Sequence, residues 1–166
     1  DGKLRGLKRQ CLEGGIRVPF IARWPGKIPA GVKNDHQLAL YDVMPTFCEL
    51  VGDKNFPKKY LNKELEGDCF DGISFAPTLL GDDSKQIQHV FLYWEFHETD
   101  QIGVRMGDWK LVVRSGKPSL YNLTEDVHED HDVAAQHPDI VAKMKECIRN
   151  EHRPNDLFPV TLPDFN

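Results

Sequence analysis

The chain lacks most of what would send a protein to nucleic acid or into a membrane. Lysine and arginine number 21 against 26 aspartates and glutamates, a net charge of −5. No basic surface dominates, so nucleic acid and anionic lipid are poor partners. No apolar run approaches the ~18 residues of a membrane span. The four cysteines, at 11, 48, 69 and 147, include no C-x-x-C and no close pairing with histidine, which argues against structural zinc. Their even number permits disulfides without fixing any. Repeats and low-complexity tracts are missing too. The opening "DGKLRGLKRQ" has neither an initiating Met nor a signal-peptide core and reads as a loop. It is expected to be an internal cut of a longer chain, with any targeting segment upstream. What is present is 166 residues, 40% hydrophobic and 28% charged. That is an ordinary globular balance, enough for one domain or a piece of a larger one.

Patterning divides the chain. "IRVPFIARW" (16–24) is rich in β-branched and aromatic residues and ends at Pro25-Gly26, which predicts a short buried strand with Pro19 at an edge or bulge. In "YDVMPTFCELVG", Val43, Met44, Phe47, Leu50 and Val51 fall where one helix face collects them, with Pro45 in the first turn and Gly52 as C-cap. Residues 53–71 are charged and irregular and suit a surface excursion. "DGISFAPTLLG" reads as a loop and one helical turn. Four strand candidates follow, at 89–96, 101–107, 108–114 and 119–123, with a two-residue hairpin turn at Gly107-Asp108. Ile140, Val141, Met144, Cys147 and Ile148 make the stripe of an amphipathic helix entered at Pro138 and Asp139. A tail with three prolines is expected to wrap over a surface.

These elements imply an α/β protein in two parts. Residues 1–85 read as the end of an α/β layer, and residues 86–166 as a small four-stranded antiparallel sheet with a C-terminal helix and tail. One stretch does not explain itself. "KRQCLEGGIRVP" (8–19) needs its glycines for a turn, but a turn needs neither Lys8, Glu13 nor Arg17.

The spacing G-x-K-x-x-x-x-E-G-G-x-R-x-P followed by W-P-G stands here as Gly6, Lys8, Glu13, Gly14, Gly15, Arg17, Pro19, Trp24, Pro25 and Gly26. It resembles the type I, formylglycine-dependent sulfatases of the alkaline-phosphatase-like superfamily. "LALYDVMPTFCELVG", "DGISFAPTLLG", "GVRMGDWKLV" and "LYNLTEDVHEDHDVA" continue the likeness in the family's order, over nearly all of the chain except 53–67. The resemblance implies the C-terminal portion of such an enzyme. The nucleophile motif C/S-x-P-S-R does not occur here, nor do the aspartates and the Asp-Asn pair that bind calcium. Calcium and formylglycine are therefore expected from the rest of the protein, with no metal ligand in this chain, and the piece alone is expected to be inactive.

The resemblance makes Lys8 the catalytic and sulfate-binding candidate. A sulfate ester carries negative charge that grows on the bridging oxygen as S–O breaks, and a lysine ammonium, with an ordinary pKa of about 10.4, is charged at any working pH. One fixed donor of this kind is often worth about 10²–10³ in rate. Glu13, Gly14, Gly15 and Arg17 are expected to shape the loop, Glu13 by pairing with Arg17 or accepting backbone N–H groups. In "YWEFHE", strand alternation puts Tyr93, Glu95 and His97 on one face. Glu95 and His97 are substrate-binding candidates for a sugar; a sheet-edge histidine facing water is the alternative. His128, Glu129, Asp130, His131 and Asp132 have ligand chemistry but read as a solvated acidic turn. Asn122 and Val127 depart from the family pattern there. Arg105, Asp108, Trp109 and Lys110 read as hairpin residues that hold the small sheet in place. Cys11 lacks the x-P-S-R sequel; a loop thiol and half of a disulfide with Cys69 remain the two options. The family likeness implies a sulfated carbohydrate or aryl sulfate substrate, the N-terminal part of the same chain as partner, and an extracytoplasmic location (periplasm, lysosome or secreted). A phosphodiesterase or phosphonate hydrolase of the superfamily and a non-catalytic carbohydrate-binding module are the rival readings.

Overall fold

The computed structural model describes residues 4–53 and 71–165. Most of the expected surface excursion at 53–71, and Cys69 with it, lies outside the described residues. The chain forms two compact units, one of Asp1–Pro19 with Val90–Asn166 and one of Phe20–His89. The opening stretch thus groups with the sheet.

In the first unit β1 (Leu92–Phe96), β2 (Gln101–Met106), β3 (Trp109–Arg114) and β4 (Lys117–Asn122) form an antiparallel meander in the order β1-β2-β3-β4. The turn between β2 and β3 falls at Gly107-Asp108, where Gly107 has φ +57. Ser115 and Gly116, with φ of 46 and 74, make the next two-residue turn, the conformation a tight hairpin requires. Pro118 sits in β4, an edge strand, where its missing N–H is tolerated.

Both faces of this sheet are covered. On one, Ile102, Val104, Leu111, Val113 and Leu120 meet Met144, Cys147 and Ile148 of the helix α4 (Pro138–Glu151). On the other, Val112, Tyr121 and Leu123 meet Cys11 and Leu12. Double coverage explains why β3 is buried continuously from Lys110 to Val113 rather than at alternate positions. Gly103 makes the close approach of the opening segment possible, since a Cβ there would lie 3.0 Å from Cys11 Cβ. The proline-rich tail lays Val160, Leu162 and Phe165 against the helix-side core.

The second unit holds α2 (Val43–Leu50) and α3 (Ala76–Leu79). Its organising residue is Asp42, whose carboxylate accepts the N–H of Ala39 at 2.7 Å and of Ile73 at 2.8 Å and pairs with His89 Nε2 at 2.9 Å. Thr46 extends the set by donating to the Asp42 carbonyl and accepting the Phe75 N–H at 2.9 Å.

Two expectations are corrected. Residues 17–24 form no strand; Ile16 closes the short helix α1 (Glu13–Ile16), and Val18 and Ile21 are exposed, Ile21 at 91%. β-propensity marks a chain fit for a half-buried surface, and no partner strand lies beside this one among the described residues. On α2, Met44, Phe47 and Val51 of the supposed core stripe are exposed, while Pro45 and Thr46 are buried. The helical period is right and the buried side is the other one, where Asp42 draws backbone donors inward.

Candidate functional site

The opening loop folds back on itself around its two glycines. Gly14 N–H donates to the Arg5 carbonyl at 2.8 Å. A Cβ on Gly14 would lie 2.6–2.7 Å from the carbonyls of Leu4, Arg5 and Gly6, and one on Gly15 would lie 2.6 Å from that of Leu7. No side chain fits at either place, which is the local reason for "GG". Between the closed ends of the loop, residues 7–10 form a turn. Gln10 N–H donates to the Leu7 carbonyl at 3.1 Å, and Leu7 N–H donates to Gln10 Oε1 at 3.0 Å. Lys8 is exposed on this turn, and among the described residues its ammonium has no hydrogen-bond or ion-pair partner.

Arg9, beside it, holds the left-handed conformation at φ 76 and ties the turn to a second one. Its carbonyl accepts the Thr99 hydroxyl at 2.6 Å, and its guanidinium pairs with Glu98 at 2.8 Å. His97 begins that second turn, His97–Thr99. Two turns 90 positions apart in sequence are thereby brought side by side, with Lys8 on one and His97 on the other.

Glu95 does not join them. β1 ends at Phe96, so His97 leaves the alternation that would have kept it on the face of Glu95. The His97 ring packs edge-on against Phe158, with centroids 4.9 Å apart. Glu95 instead accepts the Tyr93 hydroxyl and pairs with His152 Nδ1 at 2.7 Å. Burial, then the bond to Glu95, pushes the Tyr93 phenol far above its ordinary range.

Beneath the loop lies a buried ionic cluster. Glu13, fully buried, receives Lys110 Nζ at 2.8 Å, Arg17 Nε at 2.5 Å and Arg105 at 3.4 Å. Burial raises the Glu13 carboxyl, but the Lys110 ammonium and the hydrogen bonds of Lys110 and Arg17 outweigh it and leave the pKa below the ordinary value. Lys110 is itself fully buried and lies 5.1 Å from the Trp94 ring centroid. Glu13 N–H donates to Glu129 Oε2 at 2.8 Å, and Arg5 donates to the Glu129 carbonyl.

Glu129 corrects the reading of residues 128–132 as wholly solvated. His128, Asp130, His131 and Asp132 are exposed, whereas Glu129 turns inward at φ 58 and is fully buried. Burial is the main cause of its raised pKa. Among the described residues no three of His, Cys, Asp and Glu lie together as a metal site. The thiols of Cys11, Cys48 and Cys147 are free, and burial pushes those of Cys11 and Cys147 up to about 11. Of the two options for Cys11, the structure has the loop thiol, buried and packed on Gly103.

Sequence reasoning found Glu13 and Arg17 but treated Lys110 and Arg105 as hairpin residues. A signal for Lys110 exists: it shares parity with Val112, which lies on the loop-covered face.

Residues 7–153 match the family described as N-sulphoglucosamine sulphohydrolase, C-terminal. An N-acetylgalactosamine-6-O-sulfatase of Bacteroides thetaiotaomicron is 28% identical over 90% of this chain and 30% of its own length. A steryl-sulfatase of Rattus norvegicus is 37% identical over 95% of this chain and 33% of its own. The crystal structure of Ps i-CgsB shares the fold, with a TM-score of 0.71 at 24% identity over 90% of this chain and 32% of that one. The chain thus spans about a third of the length of these relatives. With residues 7–153 of its 166 matched by the family, the chain belongs to the sulfatases and corresponds to their C-terminal region.

Proposed function

We propose that the protein to which this chain belongs hydrolyses sulfate monoesters, most suitably those of sulfated sugars, to an alcohol and inorganic sulfate, and that Lys8 engages the sulfate. The observation that carries this reading is the setting of Lys8: an unpartnered, exposed ammonium on a turn whose neighbours are bonded through on both sides. A merely solvated lysine requires no such anchoring. A fixed cation is suited to non-bridging sulfate oxygens in the ground state and to the charge that develops as the S–O bond breaks. The relatives' names, N-acetylgalactosamine-6-O-sulfatase and arylsulfatase A among them, support the reaction class.

His97, on the adjoining turn, is our candidate for contact with the sugar, and its edge-on packing against Phe158 gives it an apolar neighbour suited to a pyranose ring. Glu95 is already engaged by Tyr93 and His152. Calcium and formylglycine we assign to the rest of the protein. From the family alone we place the protein outside the cytoplasm; separately, no helix among the described residues is long and apolar enough to cross a membrane.

The test is made with the full-length enzyme. Lys8→Ala is expected to lower turnover of an aryl sulfate by about 10²–10³ with an unchanged melting temperature. Full activity in that variant would make Lys8 an ordinary loop lysine. A parallel screen of phosphate diesters and phosphonates, turned over faster than any sulfate ester, would transfer the chemistry to phosphorus.

A further inference from the structure

We infer that Lys110 is a positioning residue for Lys8, acting through the buried carboxylate of Glu13. This inference rests on the role of Lys8 proposed above. Lys110 comes from β3 and Lys8 from the opening loop, and the connection between them is continuous. Lys110 Nζ donates to Glu13 Oε1 at 2.8 Å, with both side chains fully buried. Glu13 opens the helical turn whose Gly14 closes onto Arg5, on the far side of Lys8 in sequence. Its own N–H is held by Glu129 Oε2 and its second oxygen by Arg17 and Arg105. The remaining anchors of the loop, Cys11 N–H on Gln101 Oε1 at 2.9 Å and the Arg9 carbonyl on Thr99, also reach the sheet or its turns.

Three features favour positioning over bulk stabilisation. A buried ion pair is a poor way to gain stability, because desolvation offsets most of the attraction and apolar residues of similar volume do as well or better. It is a good way to fix one arrangement, since the buried Glu13 carboxylate is compensated where Lys110 and Arg17 converge on it. Moreover, Lys110 lies on the loop-covered face of the sheet, away from the α4 core that carries most of the apolar packing. The pair can therefore set where the loop sits without carrying the fold. Displacing a charge at a reacting group by about 1 Å costs on the order of 10²-fold in rate, so a small shift of the loop is enough to be felt at Lys8.

The test is a double-mutant cycle in the full-length enzyme, with kcat for an aryl sulfate as readout and thermal melting as the check on folding. Lys110→Met is expected to lower kcat by about 10²-fold when Lys8 is present. In the Lys8→Ala background it should lower residual turnover by less than about threefold, the non-additivity of residues that act as one. An equal loss in both backgrounds would make Lys110 a structural residue and overturn the inference while leaving Lys8 in place. An unchanged kcat for Lys110→Met would also overturn it. A fully active Lys8→Ala variant would instead remove the reading on which the inference stands. Should Lys110→Met fail to fold, Glu13→Gln, which keeps shape and an acceptor oxygen but loses the charge, goes through the same cycle with an expected loss of about tenfold in the Lys8 background alone.

Discussion

The two units of this chain are held together by different means. The unit of Asp1–Pro19 and Val90–Asn166 carries both buried apolar clusters, one on each face of its sheet. Among its described residues the unit of Phe20–His89 buries the apolar side chains of Pro45, Phe75 and Ala76, and the rest of that interior is Asp42, Thr46 and their hydrogen bonds. Among its described residues, large apolar side chains are largely outside: Ile21, Met44, Phe47 and Val51 are each more than half exposed. A sheet closed by a helix on one side and a loop on the other can sequester its own hydrophobic surface. A short helix and loops gathered around one carboxylate cannot, and backbone donors converging on Asp42 substitute for packing.

The largest expected break in that contrast comes from the sheet. Leu111 is fully buried beneath α4, and Leu111→Ala should cost about 2–5 kcal/mol through lost transfer energy and a cavity. Denaturant unfolding of the chain measures it. A loss under about 1 kcal/mol would mean that the helix-side core does not carry the unit.

Next comes Asp42. Removing its carboxylate in Asp42→Ala strands the N–H groups of Ala39 and Ile73 and leaves His89 without its partner. An unsatisfied buried donor costs about 1–3 kcal/mol, and the loss should be local. Hydrogen exchange should quicken at Ala39, Ile73 and Phe75 while β2 and β3 stay protected. Uniform quickening over both units would show that the two do not differ in the way described.

The elements that were legible in the sequence are those whose signal is periodic or conformational. The stripe from Ile140 to Ile148 gave α4, Gly107-Asp108 gave the hairpin, and the spacing from Gly6 to Pro19 marked the loop that carries Lys8. The missed features depend on partners distant in sequence. "IRVPFIARW" has strand composition, yet a strand exists only against another strand. Helical period located α2 but could not say which side Asp42 would turn inward. In "HEDHD" nothing distinguishes Glu129 from its neighbours, because what buries it is the N–H of a residue 116 positions away. Likewise the 97–99 turn found its place beside the turn that carries Lys8 through Arg9, a contact with no local trace.

Smaller effects separate the two buried glutamates of the first unit. Burial raises the Glu129 carboxyl above its ordinary value of 4.5 in the folded protein, against weaker opposing pulls from the Glu13 N–H and Lys110. The folded state therefore binds this proton more readily than the unfolded chain, and stability attributable to Glu129 falls as pH rises from about 4.5 through the folded value. Glu13 has the opposite sign: its carboxyl is lowered, so its stabilisation is present above its ordinary value and lost as pH falls. Glu129→Gln keeps an acceptor for the Glu13 N–H and removes the titration. Its melting temperature relative to wild type should be more favourable at pH 8 than at pH 4, and a difference independent of pH would refute the raised carboxyl.

The smallest effect is expected at Ile21, and its smallness is the point. An isoleucine in a core would lose several kcal/mol on truncation. Ile21 is 91% exposed, so truncation removes surface that water already covers. Ile21→Ser should shift the unfolding free energy of this chain by no more than about 0.5 kcal/mol, beside the several expected at Leu111. The measurement is the same denaturant titration applied to both variants. A cost at Ile21 approaching that at Leu111 would show that residues 20–89 bury their apolar side chains after all, and the contrast between the two units would collapse.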